Sequence, residues 1–262
     1  MKSFIKDYKK KIATAFLVVT VVAIGTSQAT TVPLGTAADF AILGGSAVTN
    51  TGSSVINNGN VGSSPTPSVT GFPPGVINNG TLYLLADPAT AAAHTDLIAA
   101  YNAAQAATTT GIAPANLGGA TLAPGVYTYA TAATWDTAGT TLTLDAGGDS
   151  SAQWIFQIGT ALTTPAGATV FLKNGALANN VFWQLDTLTL GATNAFAGNI
   201  LANTSITLGG GTLDGRALAI TGAVTISVVE TINAPTTVPE PATLCLLGFG
   251  VLNLVSRRKK SA

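Results

Sequence analysis

Charge is scarce in this chain: Asp, Glu, Lys and Arg make up 8% of its 262 residues, against about a quarter in an ordinary soluble domain. Most of the cations lie at the two ends, with Lys2, Lys6, Lys9, Lys10 and Lys11 at the front and Arg257, Arg258, Lys259 and Lys260 at the back. Between Thr30 and Thr236, Lys173 and Arg216 stand against Asp39, Asp87, Asp96, Asp136, Asp145, Asp149, Asp186, Asp214 and Glu230, two cations against nine acids and a net of −7. Neutralising phosphates needs clustered Lys and Arg, so this body is no partner for nucleic acid. The one cysteine, Cys245, falls in a C-terminal apolar stretch. The body therefore has no disulfide of its own, and packing and backbone hydrogen bonds must hold it.

Catalytic chemistry is equally thin. The chain has one histidine, His94. It falls on the apolar stripe of a helical segment, where packing or a boundary role is expected rather than ligation or base catalysis. There is no Cys/His cluster, His-Glu-x-x-His, Gly-x-Ser-x-Gly or phosphate loop, so no metal site, cofactor or catalytic residue is expected. A polysaccharide lyase or hydrolase needs a close carboxylate pair, or a basic residue among acids. Asp145 and Asp149 in LDAGGDSS are the best candidates for that pair or for a calcium loop. Their Gly-rich setting is also what a turn wants, and the turn is the expectation. A buried salt bridge or an exposed solubilising charge would account for Lys173 and Arg216. The chain reads as a non-enzyme.

What the sequence has instead is 47% hydrophobic residues, enough for a sizeable core, and a repeat. Ser205, Ile206, Thr207 and Leu208 align with Ala223, Val224, Thr225 and Ile226, and Thr187, Leu188, Thr189 and Leu190 align with Ser205, Ile206, Thr207 and Leu208, always at an offset of 18. Carried upstream at that offset, Phe182 meets Ile200, Ile200 meets Leu218, and Arg216 has Gly198 as its equivalent. Apolar residues alternate with Thr, Ser and Ala, the period of two that separates the faces of a strand. A short strand, a Gly turn and another strand per repeat describe a coil of a β-helix with three sides. The run Gly209-Gly210-Gly211 follows a strand without leading into a helix. It reads as a coil corner needing φ > 0, not a phosphate cradle. Trp154 to Thr164 and Gly125 to Thr134 continue the pattern loosely, and Phe40 to Val76 has strand-like runs broken by Asn-Asn-Gly and Pro-Pro-Gly turns.

One segment breaks the period. DPATAAAHTDLIAAYNAAQAAT, Asp87 to Thr108, is Ala-rich and repeats larger groups at His94, Leu97, Ile98 and Tyr101, with Ala104 following. Asp87 is placed as an N-cap and Pro88 at the first helical position. This predicts one helix at about 88–108 laid along the β-helix, since alone it would have nothing to hold it.

Both ends read as addresses. Residues 1–29 carry a Lys-rich start, an apolar run from Ile12 to Ile24, and Ser27-Gln28-Ala29 before Thr30, the layout of a secretory signal cut by signal peptidase. Residues 236–262 contain Pro239-Glu240-Pro241, an apolar stretch from Ala242 to Val255, and the basic end. At 14 residues this stretch is short against the roughly 20 that cross a bilayer comfortably, which gives a temporary span oriented by its cations. The pattern resembles the PEP-CTERM sorting domains. That resemblance implies a Gram-negative exporter, processing by an exosortase near Pro239-Glu240-Pro241, transient attachment to the inner membrane, and delivery to the surface or extracellular matrix.

Outward Thr at matching positions of stacked coils makes a lattice of methyls and hydroxyls with stiff rotamers. One column is Thr189, Thr207 and Thr225, with Thr163 and Thr134 as continuations; the next is Thr187, Ser205 and Ala223, with Ala161 and Ala132. Such a face holds ordered water, or is simply a solvated strand surface. The segments FAILGGSAVTNTG (Phe40 to Gly52), NGNVGSSP (Asn58 to Pro65), VTGFPPG (Val69 to Gly75), LGGATLAPGVYTY (Leu117 to Tyr129), LTLDAGGDSSAQWIFQIG (Leu142 to Gly159), NNVFWQL (Asn179 to Leu185), and GNILANTSITL followed by GTLDGRAL (Gly198 to Leu218) together resemble the microbial ice-binding protein family. The resemblance covers Thr31 to Val228. It implies an irregular right-handed parallel β-helix, mainly β with a flanking helix, spanning residues 30–235. It also implies a flat face adsorbing to ice through Thr134, Thr163, Thr189, Thr207, Thr225, Thr187, Ser205, Ala223 and Thr70. Asp136 and Asp186 lie near that face, where charge weakens ice contact. A surface adhesin, or a matrix protein bound to exopolysaccharide, is the alternative that the sorting tail suggests.

Overall fold

Short strands whose alternate residues are apolar turn one side inward, and stacking them in parallel closes a tube around those side chains. In the computed structural model, which describes residues 32–236, this happens on three sides. The signal segment, Cys245, Pro239-Glu240-Pro241 and the apolar tail fall outside the described residues.

The first side stacks Gly125–Tyr129, Trp154–Ile158, 181–185, 199–202, 216–219, Phe40–Gly44 and Asn60–Ser63, all parallel. The second stacks Ala133, Ala161–Thr163, 187–190, 205–208, Ala223–Ile226, Ala47–Asn50 and Val69–Thr70. The third stacks Thr121–Leu122, Thr141–Asp145, Thr169–Lys173, 194–197, 211–214, Glu230–Asn233, Val55–Asn57 and Val76–Asn78.

The order along the axis is not the order along the chain. The N-terminal strands sit on the last C-terminal coil, with Ile42 beside Ala217, Val48 beside Val224 and Ile56 beside Ile232. The junction falls between two complete coils: 216–219, Ala223–Ile226 and Glu230–Asn233 make one, and Phe40–Gly44, Ala47–Asn50 and Val55–Asn57 lie on it as the next.

The interior is a set of columns. Tyr127, Phe156 and Trp183 occupy one register on consecutive coils. They stack at ring separations of 5.6 and 4.0 Å, and Trp183 meets Phe196 at 4.8 Å. Ile206, Leu208, Leu213, Val224, Ile226 and Ile232 are fully buried, each worth about 1.5–3 kcal/mol of transfer free energy. The 18-residue step holds on the second side, where Thr189 pairs with Thr207 and Thr207 with Thr225. On the first side the step is 17: Phe182 pairs with Asn199, Ile200 with Ala217, and Asn199 with Arg216. The expected pairings of Phe182 with Ile200, Ile200 with Leu218 and Gly198 with Arg216 are thus one residue off. The physical reason is a bulge near Asp186, where the register shifts between Leu185 and Thr187; each later coil spends one more residue turning that corner.

The helix α1, Pro88–Ala106, starts as expected, with the Asp87 carboxylate accepting from the Ala89 N–H and Pro88 in the first turn. Its buried stripe differs from the large-residue stripe read from the sequence. Thr90, Ala93, Leu97, Ala100 and Ala104 face the tube, while His94 and Tyr101 lie at the margin and Ile98 is exposed. Alanine lets the helix backbone approach the strands closely, and larger groups would hold it off. Polar ties complete the fit. Asp96 accepts from the Thr36 N–H and hydroxyl, both at 2.7 Å, and His94 Nε2 bonds Ile220 O at 2.8 Å. Gln157 Nε2 donates to the carbonyls of Ala104, Gln105 and Ala107 and so satisfies the end of the helix from a neighbouring strand.

Candidate functional site

On the second side, the side chains of adjacent coils fall into two columns. Register places Thr163 beside Thr189, Thr189 beside Thr207, Thr207 beside Thr225, Thr225 beside Thr49, and Thr49 beside Thr70. The bridge between Ala133 and Leu162 sets Thr134 at the far end. The result is threonine at all seven levels. The parallel column holds Ala161, Thr187, Ser205, Ala223 and Ala47. All nine face residues read from the sequence are therefore in register on one side, and α1 lies along another.

The spacing follows from strand geometry: about 4.8 Å between coils and about 6.6 Å between alternate residues of a strand. Between the outward positions the buried residues Leu162, Leu188, Ile206, Val224 and Val48 fix each strand to the core. Threonines at the edges spend their hydroxyls internally: Thr51 Oγ1 donates to Ile226 O, Thr204 Oγ1 to Asp186, and Thr221 Oγ1 to Asn203 O. The column hydroxyls make no such bond among the described residues and are left to solvent.

Thr49 is the position that sequence reading missed. Its signal was the match of Ala47-Val48-Thr49 to Ala223-Val224-Thr225, obscured because the two segments, far apart in the chain, are neighbours only across the junction of the N-terminal and C-terminal coils. The third side carries a second run that was also missed, with Thr141 beside Thr169, and Thr212 beside Thr231. It is broken by the half-exposed Phe171, the Lys173–Asp145 ion pair at 3.2 Å, and an amide ladder in which Asn78 donates to Asn57, Asn57 to Asn233 and Asn233 to Asp214.

The charges near the threonine side are tied down. Asp186 accepts from Thr204 Oγ1 at 2.6 Å and from Asn203 Nδ2 at 3.0 Å. These bonds, the hydroxyl first, hold its carboxyl below the usual range. Asp136 accepts from Asn116 and Thr137 on the terminal coil. The candidate carboxylate pair acts as turns. Asp145 accepts from the Gly147 N–H and from Asn174, and Asp149 from the Ser151 N–H and hydroxyl. Among the described residues, no group of three or more His, Cys, Asp or Glu could hold a metal ion.

Arg216 is neither an exposed charge nor half of a buried salt bridge. It is 1% exposed, and its guanidinium donates to Ala38 O, Pro235 O, Asn179 Oδ1 and Asn199 Oδ1. Burial lowers its pKa to about 10, so it stays charged with neutral partners. It fastens the seam where the C-terminal chain leaves the tube and the N-terminal chain joins it.

Residues 42–232 match the family model described as Ice-binding-like, and residues 237–260 match the PEP-CTERM protein-sorting motif. The chain is 44% identical over 239 residues to an ice-binding protein of Nostoc sp. (strain HG1), covering 87% of this chain and 86% of that one. It is 33% identical over 219 residues to an ice-binding protein of Flavobacterium frigoris (strain PS1), covering 78% and 76%. Its fold is similar to the crystal structure of an ice-binding protein from the Antarctic ascomycete Antarctomyces psychrotrophicus, with a TM-score of 0.70 and 39% identity over 78% of this chain and 98% of that one. A threonine-columned β-helix with a flanking helix, matched over most of its length by these proteins, belongs to the ice-binding-like family.

Proposed function

We propose that this protein is exported and adsorbs to ice through its threonine side, using the column Thr134, Thr163, Thr189, Thr207, Thr225, Thr49 and Thr70 and the smaller column of Thr187, Ser205 and Ala223. The observation that carries the reading is the unbroken threonine register at every level of one helix-free side. Hydroxyls bond a first water layer while the methyls beside them leave that layer free to order, and a regular flat array lets it join an ice surface. The third side is a poorer candidate because a ring, an ion pair and a carboxylate interrupt it. No catalytic step is involved.

Export would begin with removal of the N-terminal signal by signal peptidase. It would end with exosortase acting near Pro239-Glu240-Pro241, placing the domain on the surface of a Gram-negative cell or in its surroundings. Ice-crystal shaping and thermal hysteresis of residues 30–236 test the proposal. Faceted crystals are expected, with loss of shaping in Thr207→Tyr and Thr189→Tyr. Round, unshaped crystals from the unmutated protein would refute it, and capture of the producer's exopolysaccharide without ice shaping would assign a matrix role instead.

A further inference from the structure

The residues that follow the last strand are tied to the tube. Ala234 donates its N–H to Asn57 O at 3.0 Å, Pro235 O accepts from Arg216 Nη2 at 2.8 Å, and Thr236 O accepts from Asn179 Nδ2 at 3.5 Å. These bonds pin the root of the sorting tail to the edge between the third side and the helix side, beside Ala38 and Asp39. In a three-sided tube that edge lies opposite the threonine side.

Only residues 237–241 separate this root from the apolar stretch that begins at Ala242. Fully extended, the link from Thr236 to Ala242 spans about 20 Å. Crossing the headgroup layer uses about 6 Å of that, leaving about 14 Å. One side of a coil is about 18 Å of extended strand before its side chains are added. To bring the threonine side down to the bilayer, the link would have to run around one whole side of the tube, and it is too short.

We infer that, while the tail is held in a lipid bilayer, the threonine side is kept from lying against the membrane, with Arg216 and Asn179 acting as the positioning residues that set this limit. The inference rests on the reading of the tail as a membrane anchor but not on what the threonine side binds. A chain released by processing would be free to turn. A chain retained at the surface through the same edge would keep the face clear of the bilayer.

The test uses residues 30–262, without the N-terminal apolar run, with Cys245→Ser and one new cysteine, either Thr207→Cys on the face or Asp39→Cys at the tail root. Each is labelled with a small fluorophore and reconstituted into phosphatidylcholine–phosphatidylglycerol vesicles carrying a headgroup quencher. Flotation with the vesicles, with quenching several-fold stronger at position 39 than at position 207, is the expected result. Flotation with equal quenching, or with stronger quenching at 207, overturns the orientation and leaves the anchor intact. Failure to float removes the anchor, and the proposal with it.

Discussion

Replacing Glu230 by Gln changes one buried group and makes stability depend on pH in a calculable way. Glu230 is 1% exposed, at the corner between the threonine side and the third side, and neither carboxylate oxygen has a hydrogen-bond partner. The Gly210 N–H approaches closely enough to favour the anion slightly without completing a bond. Burial therefore dominates and pushes the carboxyl from 4.5 to about 7. A carboxyl whose folded pKa is raised binds its proton more tightly in the native state. It costs nothing below about pH 4.5, and the native state loses stability as pH rises from there to about 7. The difference of about 2.5 units corresponds to about 3 kcal/mol, or roughly 10 °C in Tm for a domain of this size. Glu230→Gln removes the titration and nearly keeps the shape. The difference in Tm between variant and parent should therefore be about 10 °C larger at pH 8 than at pH 4. The Asp residues with lowered pKa values contribute equally to both proteins and cancel in that difference. Thermal unfolding by circular dichroism from pH 4 to 8 makes the measurement, and a Tm difference that does not change with pH would refute the reasoning.

Four further outcomes are expected. Arg216→Met should lower stability by about 3–5 kcal/mol in chemical denaturation, because it strands four acceptors arranged around a buried cation. Thr207→Tyr and Thr189→Tyr should abolish ice shaping while moving the denaturation midpoint by no more than about 0.5 kcal/mol, since both sites are on the surface. Gly211→Ala should cost about 1–3 kcal/mol, because Gly211 has φ 133 and an added Cβ would strike the Asn194 backbone. Below pH 4 the domain should weaken as Asp96, Asp145, Asp149 and Asp186 are protonated, since the native hydrogen bonds that hold their pKa values down favour the carboxylates and are weakened by acid.

Local alternation was enough to read the second side: Thr187 to Leu190, Ser205 to Leu208 and Ala223 to Ile226 repeat at 18 because no bulge falls within them. The first side was read one residue out, since the extra corner residue beyond Leu185 leaves no mark in a pattern of alternating Leu and Ala. Asp87 and Pro88 disclosed the start of α1 through cap chemistry that is local. Which of its faces is buried depends on how close the strands lie, so the Ala stripe was not visible. Thr49, Arg216 and Glu230 depend on segments that meet only in three dimensions. The lone Arg of the body gave no sign of which carbonyls it would hold, and an acid following Val228-Val229 reads as surface until the corner around it is known.

The junction between the C-terminal and N-terminal coils also bears on when the molecule can be complete. The strands at Phe40–Gly44, Ala47–Asn50 and Val55–Asn57 have as their neighbours 216–219, Ala223–Ile226 and Glu230–Asn233, the last strands of the body to be synthesised. The middle coils can stack as they emerge, but the first part of the chain must wait for the end. Closing so long a loop makes this step slow compared with the pairing of neighbouring coils. The N-terminal coils can thus dock on the tube only after the whole body has been made, so the junction is the last part of it to close.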